Sequence, residues 1–380
     1  MKIGLVCPYH IFRGGGVQEC VFALQRELVA RGHEAKIITP LPRDTNGHSS
    51  DDDSIVFVGT SANVKSPFHT TAQVSVALDQ RSMSEMLERE QFDVLHFHEP
   101  WVPIMSRQLL TQSDTVNVAT FHAKLPETVM SKTIEKVITP YTKSVLKYLD
   151  SFTAVSNAAA QYVKTITDEP ITIVPNGIDL TRYTNVPAKN VGRNPHLLYV
   201  GRLEKRKGVK YLLLAFALFS EKFPRAQLHI AGDGPDREKL EQLVAEEKIM
   251  NVTFHGFVSD KQKQKLFNAT DLFCSPALYG ESFGIVLLEA MAKGIVTVAG
   301  DNPGYADVMQ GRGALSLVNP EDTSQFAKRL ELLLTDEETR ALWREWALDY
   351  VQQFDYPNVV DQYVQVYKQA LKHKQYVRKI

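Results

Sequence analysis

The sequence predicts an α/β protein made of two doubly wound, parallel-sheet domains, and three observations predict it. Short apolar, β-branched runs alternate with helical patterns along the chain, the signature of parallel strands covered by helices. The alternation restarts after "PNGIDLTRYTNVPAKNVGRNP", Pro175 to Pro195, a Pro-, Asn- and Gly-rich stretch that reads as an interdomain linker. The chain's 380 residues exceed one ordinary core and suit two domains of roughly 150–200 residues each.

In the first half, "KIGLVCP" reads as a strand. "VQECVFALQRELVARG" follows as a helix with Val17, Val21, Leu24 and Leu28 at three-to-four spacing and Gly32 at its end. "EAKIIT", "SIVFVG", "FDVLHFH", "VNVATFH", "SFTAVS" and "ITIVP" read as further strands. The second half gives strands at "HLLYVGRL", "AQLHIAGDGP", "VTFHGF", "DLFCSP", "GIVTVAG" and "ALSLV", separated by helical segments. The expected division falls near residue 185, giving domains over 1–185 and 186–356. A last helix over 357–380 is expected to return to the first domain. Two such domains imply a central cleft between them.

Composition removes several function classes. With 43 basic against 44 acidic residues, no global field argues for a nucleic acid partner. The cysteines Cys7, Cys20 and Cys274 are odd in number and widely spaced, with neither a disulfide framework nor metal-ligand spacing, so a reducing cytoplasm is expected. The apolar run in "MKIGLVCPYH" is too short for a signal peptide core, and no run approaches the 18 or so apolar residues of a membrane span.

Ligands of open parallel sheets bind at the carboxyl ends of the strands, where helix N-termini point outward. In "RGGGVQ", after the first strand, Gly14, Gly15 and Gly16 let the backbone approach a phosphate, although a tight turn with no ligand role reads equally well. "GRLEKRKG" gathers Arg202, Lys205, Arg206 and Lys207 at a strand end, a set that suits a diphosphate or, more plainly, a solvated loop. In "YGESFGIVLLEAMAKG", Ser282 is the expected N-cap of a buried helix ending at Gly294. On such a helix Glu281 and Glu289 stand about 12 Å apart. That exceeds the roughly 5–9.5 Å of a glycoside hydrolase pair and fits opposite ends of a nucleotide sugar.

Taken together, "VGRLEKRKG", "GESFGIVLLEA", "PNGID", "AVSN" and the glycine-rich loop resemble family 4 of the glycosyltransferases over essentially the whole chain. The resemblance implies the two-domain GT-B architecture and metal-independent transfer that retains the donor's anomeric configuration. It implies catalytic roles for His122, Arg202, Lys207 and Glu281. A nucleotide diphosphate sugar would be held by Gly15, Gly16, Arg202, Lys207, Glu281, Ser282, Phe283, Gly284 and Glu289, with Glu281 on sugar hydroxyls and Glu289 on the ribose.

Within the family, "IGLVCPY", "GGVQ", "FDVLHFHEPW" and "ATFH" are most similar to the bacterial phosphatidyl-myo-inositol mannosyltransferases. That likeness implies a GDP-mannose donor and a phosphoinositide acceptor, with Tyr9, Gln18 and His122 on the acceptor side. It departs in one place. Those enzymes carry a basic amphipathic segment before the "FDVLH" strand, whereas "VALDQRSMSEMLEREQ" has four acids and two bases. A substitute membrane-facing element is expected from Lys132, Lys136, Lys143 and Lys147, which fall within about 60° on one helix face, or from the basic tail "KQALKHKQYVRKI". The protein is then cytoplasmic or peripheral on the inner face of the plasma membrane. A nucleotide-sugar epimerase of the same fold, a UDP-sugar transferase with a soluble acceptor, and a non-catalytic partner subunit are the alternatives.

Two metal-like signals are set aside. Asp51 and Asp53 in "SSDDDS" read as a solvated loop, and His96, His98 and Glu99 in "LHFHEP" lack a further well-placed ligand. No GxSxG nucleophile elbow is present.

Overall fold

The computed structural model describes residues 1–12, 14–41, 52–65, 71–77, 80–123, 129–183 and 194–377. Its two compact units are Met1–Gly177 with Tyr356–Ile380, and Ile178–Asp355. The first crossing thus lies at Gly177, upstream of the expected residue 185, because Ile178 already pairs with Asp355 and its N–H bonds Phe354 O at 2.8 Å.

The first unit runs β1 (Lys2–Val6), α1 (Gly16–Ala30), β2 (Glu34–Leu41), β3 (Ile55–Lys65), β4 (Thr71–Ala77), α2 (Gln80–Glu90), β5 (Val94–His98), α3 (Met105–Gln112), β6 (Val116–Phe121), α4 (Val129–Leu146), β7 (Ser151–Ala154), α5 (Asn157–Val163) and β8 (Ile171–Ile173). The sheet order is β4-β3-β2-β1-β5-β6-β7-β8. Every pairing is parallel except β3 with β4, which is antiparallel. The period-two alternation of β1 divides the core: Ile3 and Leu5 join the cluster under α1, while Val6 joins Leu95, Phe97, Met105 and Leu109 on the other face.

The second unit runs β9 (His196–Val200), α6 (Val209–Lys222), β10 (Gln227–Ala231), α7 (Arg237–Glu246), β11 (Val252–Gly256), α8 (Asp260–Ala269), β12 (Leu272–Ser275), α9 (Ile285–Ala292), β13 (Thr297–Gly300), α10 (Pro303–Val308), β14 (Leu317–Val318), α11 (Thr323–Thr335) and α12 (Glu337–Tyr350). Its sheet, ordered β11-β10-β9-β12-β13-β14, is parallel throughout.

The chain then re-enters the first unit as α13 (Tyr356–Val377), whose Val360, Tyr363 and Tyr367 pack into the cluster holding Leu5, Val21 and Leu24. Gly177 allows this return, since a Cβ there would stand 2.3 Å from the Tyr356 ring. Among the described residues no helix is long and apolar enough to cross a membrane.

In each sheet the chain begins centrally, winds one way, and returns to the other side of its first strand. The order therefore reverses between β1 and β5 and between β9 and β12. Ligands of doubly wound sheets bind in the crevice that such a reversal opens at the carboxyl ends of the strands.

Candidate active site

At the reversal in the second unit, the loops after β9 and β12 are pressed together. Gly208, at φ 68°, makes this possible, because a Cβ there would lie 2.1 Å from Pro276 O. Leu278 N–H donates to Arg206 O at 2.8 Å and fixes the register of the two loops. The turn Lys205–Lys207 then brings two adjacent cations, Arg206 and Lys207, onto one carboxylate.

Glu281 accepts from Arg206 Nη1 at 2.5 Å and from Lys207 Nζ at 2.8 Å. Glu204 lies 2.9 Å from Arg206 Nε through one oxygen and 2.8 Å from Arg202 Nε through the other. The result is a chain of alternating charge, Arg202, Glu204, Arg206, Glu281 and Lys207, with a cation at each end. Burial works to raise the Glu281 carboxyl, but Lys207 and Arg206 outweigh it and hold the group below its usual value. A carboxylate acceptor held toward its ionised form therefore sits beside cations that retain unused donors. Arg206 is the residue that sequence reading left without a role; three successive cations gave no signal of which would turn inward.

Glu281 itself is not helical. The chain enters α9 at Ile285, and Gly284, at φ 104°, occupies the N-cap position expected for Ser282. A Cβ at Gly284 would meet the Tyr305 ring at 2.7 Å, so the "GESFG" turn is folded against α10 before the helix starts. The helical spacing of about 12 Å consequently does not describe Glu281 and Glu289. Phe283 packs edge-on against Phe354, at 5.8 Å between centroids. Glu289, buried in α9, accepts from Tyr183 Oη and from Lys263 Nζ, each at 2.7 Å, which removes the cost of a lone carboxylate inside an apolar helix.

At the reversal in the first unit, α1 begins beside the end of β1. Gly15 caps it with extended backbone, φ 175°, and accepts from Glu19 N–H at 3.0 Å. A Cβ at Gly15 would come 2.5 Å from Gln18 Oε1, so a larger residue would displace the Gln18 side chain. Gln18 Nε2 donates to His10 O at 3.4 Å. Tyr9 is partly buried, and burial together with the nearby Glu99 and Cys7 pushes its phenol well up.

His122, at the end of β6, is 8% exposed. Its Nε2 meets His98 Nδ1 at 2.9 Å, and its backbone N–H donates to Glu99 Oε1 at 2.7 Å. Burial lowers the His122 imidazole to about 4, opposed by a hydrogen bond with Asn176, so it stays neutral at physiological pH. Burial raises Glu99 to about 8 against the backbone N–H groups of His122 and Ala123. His96 makes no metal set with its neighbours, because its nitrogens meet Tyr367 Oη at 2.7 Å and Thr120 Oγ1 at 2.6 Å.

Of the expected membrane-facing lysines, Lys136, Lys143 and Lys147 are exposed on and just after α4, while the side chain of Lys132 lies outside the described residues. In the tail, Lys374 is turned inward, its Nζ donating to Thr115 O at 2.6 Å and Asp150 at 2.8 Å. Arg378 and Lys379, like Asp51, lie outside the described residues.

Two doubly wound units, each carrying its polar cluster at the reversal of strand order, define the GT-B glycosyltransferase class. Solved structures of similar fold include the sucrose-phosphate synthase of Thermosynechococcus elongatus, with TM-score 0.77 and 20% identity over 98% of this chain and 99% of that one. Anabaena HepE in complex with UDP-glucose is another, with TM-score 0.75 and 19% identity over 97% and 100%.

Residues 14–182 match the family described as Glycosyltransferase Family 4, and residues 185–349 match Glycosyl transferases group 1. The chain is 31% identical to the phosphatidyl-myo-inositol mannosyltransferase of Mycolicibacterium smegmatis, over 97% of this chain and 94% of that one. It is 30% identical to the protein of the same description from Mycobacterium tuberculosis, over 97% of each. The chain belongs to glycosyltransferase family 4, and it is a glycosyltransferase.

Proposed function

We propose that this enzyme transfers mannose, with retention, from GDP-mannose to a hydroxyl of a phosphoinositide or related glycolipid. The observation that carries the reading is the carboxylate of Glu281 fixed between Arg206 and Lys207 at the strand reversal of the second unit. There the sugar hydroxyls would bond the carboxylate while Arg202 and Lys207 stabilise the charge that grows on the departing diphosphate. These cations supply what a metal would supply elsewhere, so transfer needs none. Glu289 would take the ribose. Gly15 and Gly16 contribute backbone to the diphosphate, and Tyr9, Gln18 and His122 hold the acceptor.

His122 acts in this scheme by shape and hydrogen bonding. A neutral imidazole already bonded to His98 is poorly suited to collecting a proton. The leaving phosphate oxygen therefore takes the acceptor's proton as the sugar bond breaks. Docking on an anionic inner membrane face through Lys136, Lys143 and Lys147 completes the reading.

A second reading, a UDP-sugar donor with a soluble acceptor, is favoured by one feature: α2 carries Glu85, Glu88 and Glu90 against Arg81 and Arg89, so this segment offers no net basic charge to an anionic surface. A thermal-shift panel of GDP-, UDP- and ADP-sugars separates the two, since a ligand at 100 times its Kd adds about 2.7 kcal/mol to stability. GDP-mannose is expected to give the largest rise, and a rise with UDP-sugars alone would move the assignment to the second reading. Sugar chemistry that proceeds with donor alone would instead identify an epimerase.

A further inference from the structure

The pair His98 and His122 has a third neighbour that the linear sequence conceals. Cys20 lies one turn into α1, and its sulfur, with one nitrogen from each histidine, forms a set whose atoms all lie within 4.8 Å of one another. All three side chains are buried, at 3%, 0% and 8% exposure for Cys20, His98 and His122. His98 Nδ1 is spent on His122, but its Nε2 is buried with no hydrogen-bond partner among the described residues. An imidazole nitrogen stripped of water and left unbonded is costly, and in the tautomer whose Nδ1–H donates to His122 its lone pair is suited to a cation. Cys20 differs from the other thiols here: Cys7 donates to Tyr9 O at 3.8 Å, and neither Cys7 nor Cys274 belongs to such a cluster.

We propose that Cys20, His98 and His122 form a binding site for a soft divalent cation of the Zn2+ type, and that its occupation inhibits transfer by taking His122 from the acceptor side. One thiolate and two imidazoles suit Zn2+ or Co2+ and do not suit the oxygen-seeking Mg2+ or Ca2+. With metal–nitrogen and metal–sulfur bonds of about 2.0 and 2.3 Å, tetrahedral donors stand about 3.3–3.6 Å apart. The 4.8 Å limit of the set exceeds that spacing by little more than an ångström, so side-chain shifts of that order close the site. Binding breaks the S–H bond of Cys20 and forms a sulfur–metal bond, the proton leaving to solvent. The inhibitory half of the proposal rests on the role given to His122 above; the binding half does not.

The test is a Co2+ titration of the full chain followed by absorption. Wild type is expected to show a sulfur-to-cobalt charge-transfer band that saturates at one cation per chain and disappears when Zn2+ is added. Cys20→Ser and Cys20→Ala, each shown to melt cooperatively, should lose the band, and Cys7→Ser should keep it. Absence of the band in folded wild type, or its survival in both Cys20 variants, overturns the site. In the activity arm, stoichiometric Zn2+ should slow wild-type transfer at least tenfold, reversibly with chelator, and leave Cys20→Ala unaffected. A saturable band with unaltered turnover would overturn the inhibition and, with it, the part given to His122, while the cation site stands.

Discussion

Replacing Lys207 by Ala separates the chemistry of the second-unit cluster from its architecture. The lysine is one of two cations on Glu281, and Arg206 stays bonded at 2.5 Å when it is removed. The carboxylate is therefore never left unpaired, and the folding penalty is about 1–2 kcal/mol, below the roughly 3–5 kcal/mol of stranding a buried charge. In the proposed reaction Lys207 also faces developing negative charge, and its loss should then add about 3–4 kcal/mol to the barrier, or about 10²–10³ in kcat. The assay is nucleoside diphosphate release at saturating donor and acceptor, with a thermal melt of the same preparation. A folded Lys207→Ala enzyme with near-normal kcat would refute the reasoning. Glu281→Ala gives the contrast, since it leaves Arg206 and Lys207 facing each other and should lower both turnover and stability.

Three further outcomes follow from the geometry. Gly208→Ala places a methyl 2.1 Å from Pro276 O at a left-handed φ and should cost about 1–3 kcal/mol, read as a lower melting point together with lost donor binding. Burial lowers His96 to about 3, His122 to about 4, and His98 well below its ordinary value. Between pH 6.5 and 4 these three histidines bind more protons in the unfolded chain than in the folded one, and the extra proton that the raised Glu99 keeps in the folded chain offsets only one of them. Stability should fall on acidification through that window, by up to about 1.4 kcal/mol per pH unit for each histidine, and a flat denaturation series would contradict the burial argument. Tyr367→Phe removes the partner of His96 Nδ1 at 2.7 Å and should destabilise by about 1–3 kcal/mol without altering donor affinity, as measured by urea unfolding and by donor titration.

The alternation of strand and helix was legible because each buried parallel strand is a continuous apolar run, as in "LLYV" and "LFCS". β4 escaped notice because "TAQVSVA" is polar on alternate positions, the mark of an antiparallel edge strand, and sits among residues with few other signals. Helix ends set by glycine were read correctly at Gly32 and Gly294, where a positive φ follows a helix. The start of α9 was misplaced because Ser282 has the chemistry of a cap, whereas tertiary packing of Gly284 on Tyr305 decides the entry. The inward turn of Arg206, the pairing of His98 with His122, and the approach of Cys20 all depend on elements distant in sequence, where no local period carries information.

The return of α13 has a consequence for how this protein is made. The first unit cannot close its apolar seam until Val360, Tyr363 and Tyr367 have left the ribosome. Residues Ile178 to Asp355 intervene and take about 10–35 s to translate. The nascent N-terminal half therefore waits, with Leu5, Val21 and Leu24 lacking their cover, while the middle of the chain is free to fold first. Maturation order is thus the reverse of synthesis order, and holding chaperones should engage the first half for longer than the second.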